Sequence, residues 1–345
     1  MNEATPAADW KIFLGNRTPH DGIARLLKLP PPPWRPFRTE TVVQERPRVA
    51  SDQLRPATQQ RGRTFQATPE MIEIVNAALY LRRPLLVTGN PGSGKSSLID
   101  AIAYEQKLGV PRRGGVTARS NLREALDNYD AVARLQATRQ AHIEGNDNGD
   151  IPLTQFLRLG PLGTALLPTD RPRALLIDEI DKADLDLPND LLNILEEGEF
   201  DIPELTRLAQ DTVAVRLHGS EGADSHPIKL GKVQAKQFPL VVFTSNGERE
   251  FPPAFLRRCL RLQMPDPCAD IVRLTQVVEA QLGEYFNDET RPAINQRIAD
   301  FVKRAATERL ATDQLLNAVL LVVGRAGVPE LRKDELVKAI TQPLT

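Results

Sequence analysis

Apolar residues follow two different spacings in the middle of this chain. Met71 to Leu81 carries them at helical spacing, whereas Leu85 to Thr88 is a short run that is apolar except for its last residue. Similar runs recur at Ala174 to Ile177 and at Leu240 to Phe243. Short apolar runs separated by helical stretches are typical of a parallel sheet with helices on both faces. The pattern predicts an α/β fold over residues 66–265, with a parallel sheet that helices cover on both faces.

The pattern changes after Pro267, where no further strand is predicted. Four stretches with helical spacing follow: Ile271–Leu282, Ile294–Ala305, Asp313–Val323 and Asp334–Ile340. We therefore predict that a small helical domain, residues 266–345, closes the chain.

Residues 1–65 differ in composition from the rest of the chain. They contain a proline cluster, Pro30 to Pro33, with Trp10, Trp34 and Phe37 nearby. Such prolines favour extended polyproline geometry and lack the N–H donors that a sheet needs. We predict an arm or linker that lies across the main domain with these aromatic residues as anchors. The alternative is a docking segment for a partner that has an aromatic groove.

The overall composition is that of an ordinary soluble globular protein. The 345 residues are 41% hydrophobic and 26% charged, and 44 Lys and Arg against 45 Asp and Glu leave a net charge near −1. A chain this neutral has no overall electrostatic attraction for nucleic acid or anionic lipid. Binding of either would need a local basic groove.

Membrane insertion, secretion and a structural metal site are not expected. The longest apolar stretch, Leu315 to Val323, falls well short of the ~20 residues that a membrane helix needs. The N-terminus lacks the charged start and apolar run of a signal peptide. Cys259 and Cys268 do not form a CxxC pair, and the four histidines lack metal-ligand spacing. We expect a cytoplasmic protein with reduced thiols.

A glycine-rich loop lies between the first predicted strand and the helix that follows from Ser97. It reads Gly89-Asn90-Pro91-Gly92-Ser93-Gly94-Lys95-Ser96, which is GxxxxGK followed by Ser. The glycines permit a tight turn whose N–H groups point at a β-phosphate, and the helix N-terminus adds partial positive charge. Lys95 would reach the β and γ oxygens, and the Ser96 hydroxyl would bind Mg²⁺. The loop is predicted to bind a nucleoside triphosphate.

Two consecutive carboxylates, Asp178 and Glu179, follow the predicted strand at Ala174 to Ile177. They would lie at its carboxyl end, where ligands bind in open α/β sheets. We predict that Asp178 holds Mg²⁺, directly or through water, and that Glu179 orients and activates the attacking water. The alternative is an exposed acidic turn, because Asp181 and Asp184 come next.

Polar residues also end the predicted strand at Leu240 to Phe243, in the order Thr244-Ser245-Asn246. Asn246 is a candidate to hydrogen-bond the γ-phosphate or the attacking water. On its own this signal is weak, since Ser-Asn-Gly is also a favourable turn sequence.

Two adjacent arginines, Arg257 and Arg258, lie between apolar residues about ten positions after Asn246. An arginine supplied by a neighbouring subunit can stabilise the charge that develops on a transferred phosphoryl group. A pair of surface arginines on a helix is the alternative. The position favours a catalytic role for at least one of the two.

The order of these elements resembles that of the AAA+ ATPase family: Walker A, Walker B with its Asp-Glu pair, sensor 1 and arginine finger. The segments Leu175 to Phe200 and Val242 to Leu260 look more narrowly like the MoxR-like branch, close to the dynein-related group. The resemblance covers about residues 66–345. It implies a P-loop ATPase with three αβα layers, in which a parallel five-stranded sheet is the middle layer, and with a C-terminal helical lid. It also implies the use of ATP and Mg²⁺, and it places Arg258 on the finger with Arg257 as its helper.

The resemblance also implies an assembly. Members of the family form hexameric rings and use ATP hydrolysis to remodel or activate partner proteins, often ones with von Willebrand factor A domains. The segment from Arg119 to Arg171, after a predicted second strand at Gly115 to Ala118, would hold the pore-side insertions. The lid departs from the family pattern. An arginine usually begins one lid helix (sensor 2), whereas here Arg309 comes a few residues early and Asp313 stands near the expected place.

Three functions fit these features. The first is an energy-using remodeller of partner proteins, and the second is a nucleotide-gated scaffold or regulator that recruits an effector. The third, a nucleic-acid motor or loader, is disfavoured by the near-neutral charge. The sequence lacks an Asn-Lys-x-Asp motif and an LSGGQ-like segment, which disfavours a GTPase and an ABC ATPase.

Overall fold

A computed structural model of the chain describes residues 10–35, 54–117, 120–144, 151–184, 186–208, 210–219, 224–323 and 330–343. The strands are β1 (Leu85–Thr88), β2 (Arg112–Gly115), β3 (Asp127–Tyr129), β4 (Leu157–Leu159), β5 (Ala174–Asp178), β6 (Glu199–Asp201), β7 (Thr212–Arg216), β8 (Ser225–Lys229), β9 (Lys232–Gln234), β10 (Leu240–Ser245) and β11 (Leu260–Gln263).

The α-helices are α1 (Ile23–Leu27), α2 (Pro56–Thr64), α3 (Pro69–Leu81), α4 (Lys95–Glu105), α5 (Leu122–Leu126), α6 (Ala131–Ile143), α7 (Pro161–Ala165), α8 (Leu187–Glu197), α9 (Pro203–Thr206), α10 (Pro253–Arg258), α11 (Ile271–Leu282), α12 (Arg291–Ala305), α13 (Thr312–Val323) and α14 (Glu330–Ile340).

The central sheet is five-stranded and entirely parallel, in the order β11-β1-β10-β5-β2. Successive residues of β1 point into two different apolar clusters: Leu86 belongs to one, and Leu85 and Val87 belong to the other. The same alternation holds along β5 and β10. Both faces of the sheet are therefore covered, and the predicted three-layer αβα P-loop fold is confirmed.

The second strand of the central sheet lies three residues earlier than predicted. β2 is Arg112–Gly115, whereas the prediction was Gly115 to Ala118, whose last residue lies outside the described residues. The strand begins with two arginines, so it contains no apolar run by which it could be recognised. Both have partners: Arg113 is ion-paired with the buried Asp100, and Arg112 donates to the carbonyl of His218 at 2.9 Å.

A second sheet was not predicted from the sequence. It has six short strands in the order β3-β4-β7-β8-β9-β6 and is mostly antiparallel. Its strands come from the segments between β2 and β5 and between β5 and β10. Runs of three to five residues are too short to give a clear period in the sequence. The structure places part of the proposed insertion segment in this sheet, and its pore-side role stays a prediction.

The N-terminal segment packs against the core through residues that the sequence did not single out. Ile12 and Phe13 are fully buried, and the Asn76 side chain on α3 accepts their backbone N–H groups at 2.6 and 2.9 Å. Trp10 contacts Tyr80 with ring centroids 5.6 Å apart, whereas Trp34 is 70% exposed. Phe37 lies outside the described residues. The division of the chain at residue 65 stays a prediction.

The four C-terminal helices that were predicted are confirmed as α11 to α14. Residues of α11, α12 and α13 form a third apolar cluster, which includes Leu274, Ile298, Phe301 and Leu315. None of the helices in the described ranges is long and apolar enough to cross a bilayer.

Candidate functional site

The glycine-rich loop joins β1 to α4 and has the backbone that only glycine adopts easily. Gly89, Gly92 and Gly94 have φ angles of 150°, 75° and 87°. A Cβ on Gly89 would come within 2.9 Å of the Met264 Cβ, and one on Gly92 within 2.9 Å of the Ala311 Cβ. The loop is therefore wound tightly and closely enclosed, as a phosphate-binding loop requires.

Lys95 is the first residue of α4, and its ammonium group turns back into the loop. Its Nζ atom donates to the carbonyl oxygens of Gly89 at 2.8 Å and Asn90 at 2.9 Å, and the residue is only 8% exposed. Burial lowers the pKa of the ammonium group, while the nearby carboxylates of Asp178, Asp181 and Glu179 oppose that shift. A desolvated cation in this place would gain free energy from an anion that entered the loop.

Ser96 and Asp178 bring two oxygen-bearing side chains together from α4 and β5. The Ser96 hydroxyl donates to Asp178 Oδ1 at 2.9 Å and lies 3.2 Å from Oδ2. Mg²⁺ prefers such hard oxygen ligands and usually keeps several waters or phosphate oxygens. The described residues contain no cluster of three His, Cys, Asp or Glu side chains that would hold a metal without further ligands. The pair therefore fits Mg²⁺ that is shared with a bound phosphate.

Glu179 has an uncommon backbone for a non-glycine residue, with φ 57° and ψ 48° in the left-handed region. Its carboxylate is half exposed and pairs with Lys182, with Oε2 and Nζ 2.8 Å apart. Backbone strain of this kind persists only where the surrounding structure holds it in place. The two consecutive acids thus contact different partners, Asp178 the loop serine and Glu179 a lysine.

Thr244, in β10, links the two acids and was not assigned a role from the sequence. Its hydroxyl donates to Asp178 Oδ1 and accepts the backbone N–H of Glu179 at 2.9 Å. Thr244 is fully buried, and it can reach both residues because β10 lies beside β5, with Phe243 opposite Ile177. The sequence did contain one signal for Thr244: it is a hydroxyl residue that directly follows the predicted strand at Leu240 to Phe243.

Asp181 holds the turn that carries Asn246. Asp181 is buried, and its Oδ2 atom accepts the backbone N–H groups of Asn246 at 2.9 Å and Glu248 at 3.1 Å. The sequence offered Asp181 only as part of an acidic turn. The Asn246 side chain has one weak contact, 3.4 Å from Glu248 Oε1. Its predicted contact with phosphate or water stays a prediction.

The arginine pair does not join this site within one chain. Arg257 and Arg258 end α10, just before β11, and the N–H of Leu260 donates to the carbonyl of Pro84, which precedes β1. The P-loop follows the opposite end of β1, four residues or roughly 13 Å further along the sheet. Neither arginine is close to the loop of its own chain.

The two arginines have different surroundings. Arg258 Nε lies 3.2 Å from Glu196 Oε1 on α8, and its Nη1 lies 3.3 Å from Asn193 Oδ1. Arg257 is exposed, and its side chain makes no ion pair or hydrogen bond with any residue in the described part of the chain. The Arg83 guanidinium donates to the backbone carbonyls of both and fixes the end of α10. Arg257 is the freer of the two side chains.

A cavity of about 160 Å³ lies beside the P-loop, between it and the C-terminal helices. Its apolar walls include Phe65, Met264, Val277 and Leu316. Three buried polar atoms of its lining residues, Ser93 Oγ, Thr312 Oγ1 and Arg273 Nε, have no hydrogen-bond partner among the residues that the structure describes. Apolar walls with a few convergent polar groups are typical of small-molecule sites. A larger cavity of about 480 Å³ among α12, α13 and α14 contains none of the motif residues.

If this site hydrolyses a nucleoside triphosphate, as the sequence predicts, Thr244→Val should lower the turnover by about 10- to 100-fold, because a hydrogen bond to the Asp178 carboxylate is lost and the Glu179 N–H loses its acceptor. Valine keeps the shape of threonine, so the fold should survive. Steady-state phosphate release measures the effect, with Thr212→Val on the exposed edge of β7 as the control. Equal turnover in the two variants would show that Thr244 does not position the acids.

No family model matches the chain, and no curated protein matches it. Among solved structures, NtrX from Brucella abortus in complex with ATP is similar, with a TM-score of 0.40 and 12% identity. The match covers 79% of this chain and 54% of NtrX, so the chain spans about half the length of that protein. A similarity at this level says nothing about the chemistry of the site described above.

Proposed function

We propose that this chain is an AAA+ ATPase of the MoxR-like type, which binds ATP with Mg²⁺ and hydrolyses it. One observation supports this most directly. The buried Lys95 ammonium, held inside a glycine turn, lies next to the Ser96–Asp178 oxygen pair at one end of the parallel sheet. A phosphate site and a magnesium site are thereby adjacent, as phosphoryl transfer requires.

Phosphate binding is the task of the loop and of α4. The backbone N–H groups around Gly92 to Ser96 and the N-terminus of α4 offer partial positive charge, and Lys95 offers a full one. On binding, Lys95 exchanges its bonds to the Gly89 and Asn90 carbonyls for bonds to phosphate oxygens. Asn90, Pro91, Ser93 and Ser97 complete the shape of the loop around the phosphates.

Water activation is the task of the two acids. Mg²⁺, when bound, neutralises charge on the β and γ oxygens and orients them for in-line attack. Ser96 and Asp178 are the residues that would hold it. Glu179 accepts the proton of the attacking water, for which its carboxylate must leave Lys182. Asn246, held through its backbone by Asp181, donates a hydrogen bond to the water or to the γ-phosphate.

Completion of the site requires a second subunit. The arginine pair and the P-loop of one chain lie at opposite ends of β1, so an arginine can reach the γ-phosphate only from a neighbouring copy. A closed ring of identical subunits, a hexamer by the family resemblance, places each arginine pair against the next P-loop.

Arg258→Ala should be inactive by itself because its side chain, released from Glu196, supplies the transition-state charge. In mixed rings it should be complemented by subunits with an intact arginine pair and a Lys95→Ala loop. Phosphate release from titrated mixtures measures this, with the exposed Arg261→Ala as control. Absence of complementation would argue against a role in trans. A larger loss in Arg257→Ala than in Arg258→Ala would exchange the roles of the two.

The proposed work of the ring is the remodelling or activation of a partner protein, with a von Willebrand A-domain or effector protein as the first candidate. A nucleotide-gated regulator is the second candidate, and one observation favours it: Glu179 is ion-paired with Lys182, so hydrolysis waits for a rearrangement. A nucleic-acid motor has less support, given the net charge near −1.

The proposed function is tested by assaying the purified chain for release of phosphate from ATP with and without Mg²⁺. We expect metal-dependent turnover that increases more than linearly with protein concentration as rings form. A chain that neither binds nor hydrolyses ATP at millimolar nucleotide would overturn the proposal.

A further inference from the structure

The cavity beside the P-loop has one cation whose side chain is not committed to a carboxylate. Arg273, on the first turn of α11, is partly buried and lines this cavity. Its Nη2 atom makes a long contact of 3.4 Å with the Gln66 carbonyl, and its Nε atom is buried without a hydrogen-bond partner among the described residues. A buried N–H without an acceptor costs free energy, so this partly buried guanidinium favours a ligand that supplies acceptor atoms.

The neighbouring carboxylate does not satisfy Arg273. Asp270 precedes α11, and its Oδ1 atom accepts the backbone N–H groups of Val272 at 2.9 Å and Arg273 at 3.3 Å. Asp270 therefore caps the helix and forms no ion pair with the guanidinium. Burial lowers the pKa of the Arg273 guanidinium, which reflects the same desolvation.

The other charged residues that line the cavity, Arg61 and Asp313, are not available to donate hydrogen bonds to a ligand. Arg61 is ion-paired with the buried Asp100, with Nη1 and Oδ2 3.1 Å apart. At the start of α13 the chain carries a carboxylate: a Cβ on Gly92 would lie 3.3 Å from Asp313 Oδ1. This is the place where the family resemblance leads one to expect an arginine. The side of the loop that faces α13 is thus negative, and the C-terminal helices offer their cation from α11.

The position of the cavity indicates which part of a nucleotide it would receive. With the phosphates held by Lys95 and Ser96, the cavity adjoins them: Gly94 and Ser97 of the loop line it, together with the apolar side chains of Phe65, Val277 and Leu316. Flat apolar walls suit the faces of a base, and the oxygen and nitrogen acceptors of a nucleoside would then face Arg273.

We propose that Arg273 binds the nucleoside half of the nucleotide by donating hydrogen bonds from Nε and Nη2, in exchange for its long contact with the Gln66 carbonyl. This inference rests on the proposed function. A bound nucleotide would then contact the C-terminal helices through Arg273 on α11. The start of α13 carries the Asp313 carboxylate, which would repel the phosphates.

The test compares three ligands on the full-length chain: ATP, ADP and inorganic tripolyphosphate, each titrated by calorimetry. Arg273→Ala should weaken ATP and ADP binding by the same factor, about 10-fold or more, and leave tripolyphosphate binding unchanged, because tripolyphosphate has no nucleoside. Arg291→Ala, in the same helical unit but paired with Glu279 at the surface, should bind all three like the wild type. Thermal unfolding checks that the variants are folded.

Unchanged affinity for ATP and ADP would overturn the inference. So would a loss confined to ATP, which would assign Arg273 to the γ-phosphate, or an equal loss for tripolyphosphate, which would indicate damage to the loop. Arg273→Lys keeps the charge without the planar fork and should weaken ATP and ADP alike, so it serves if the alanine variant does not fold. A wild-type chain that binds no nucleotide would instead refute the proposed function.

Discussion

Replacement of Lys95 by alanine is expected to weaken ATP binding by about 100-fold or more, since the phosphates lose a buried cation and its charge-assisted hydrogen bonds. The structure explains the size of the effect. The ammonium group is already desolvated inside the loop, and within the described part of the chain it donates to two backbone carbonyls and forms no ion pair that phosphate would have to displace. Calorimetric titration with ATP measures the loss.

The Lys95→Ala variant needs a control, because the two hydrogen bonds that it removes also stabilise the loop itself. Lys229→Ala removes an exposed lysine at the end of β8 and should bind ATP like the wild type. If Lys95→Ala unfolds at the wild-type temperature and still binds ATP with wild-type affinity, the glycine-rich turn is not the phosphate site.

Glu179→Gln is expected to leave ATP binding intact and to cut turnover by roughly 100-fold or more, as for the loss of a general base. Glutamine has the same shape and keeps the backbone N–H that Thr244 accepts, so the left-handed turn after Asp178 should persist. The substitution removes only the capacity to take a proton and the ion pair with Lys182. Paired measurements of ATP affinity and single-turnover hydrolysis separate the two effects.

Glu197→Gln, at the exposed end of α8, is the matched control and should hydrolyse ATP at the wild-type rate. Wild-type turnover in Glu179→Gln would remove Glu179 from the mechanism. The same variant, loaded with ATP, separates the two leading functions: a remodeller that cannot hydrolyse ATP stops work on its partner, whereas a nucleotide-gated regulator still recruits its effector.

The predicted site residues lie at the two opposite ends of β1. The P-loop, the Asp-Glu pair and the Asn246 turn follow the carboxyl ends of neighbouring parallel strands and so meet at one edge. The arginine pair lies at the other edge, where Arg258 is held by Glu196. The arginine pair and the P-loop of one chain are therefore separated by the length of β1, which is the separation that the proposed ring of identical subunits would use.

Part of this arrangement could be predicted because its signals are local. The buried strands β1, β5 and β10 are apolar runs, and the glycine loop has a fixed spacing that ends in Lys95 and Ser96. Carboxyl ends of parallel strands share an edge, so the meeting of Ser96 and Asp178 followed from the motif and the fold class alone. The helical periodicity of α11 to α14 was equally clear.

The missed residues depend on contacts between distant parts of the chain. Thr244 reaches Asp178 only because β10 lies between β1 and β5, and no local pattern states that order. β2 was predicted three residues too late because its two arginines mask the strand pattern; Arg113 pairs with Asp100 and Arg112 donates to the carbonyl of His218, contacts that no local pattern states. The strands of the second sheet have three to five residues each, and they are defined by their pairing with one another and not by their composition.

The sequence by itself determined the α/β class, the phosphate loop and the acids that accompany it, since strand burial and loop chemistry depend on neighbouring residues. Only the tertiary structure decided that the arginines lie away from their own P-loop, that Thr244 contacts the Asp-Glu pair and Asp181 the Asn246 turn, and that Arg273 lines the cavity while its Nε atom lacks an acceptor among the described residues. The physical reason is that pairing, desolvation and distance are properties of residues brought together by folding, and spacing along the chain does not contain them.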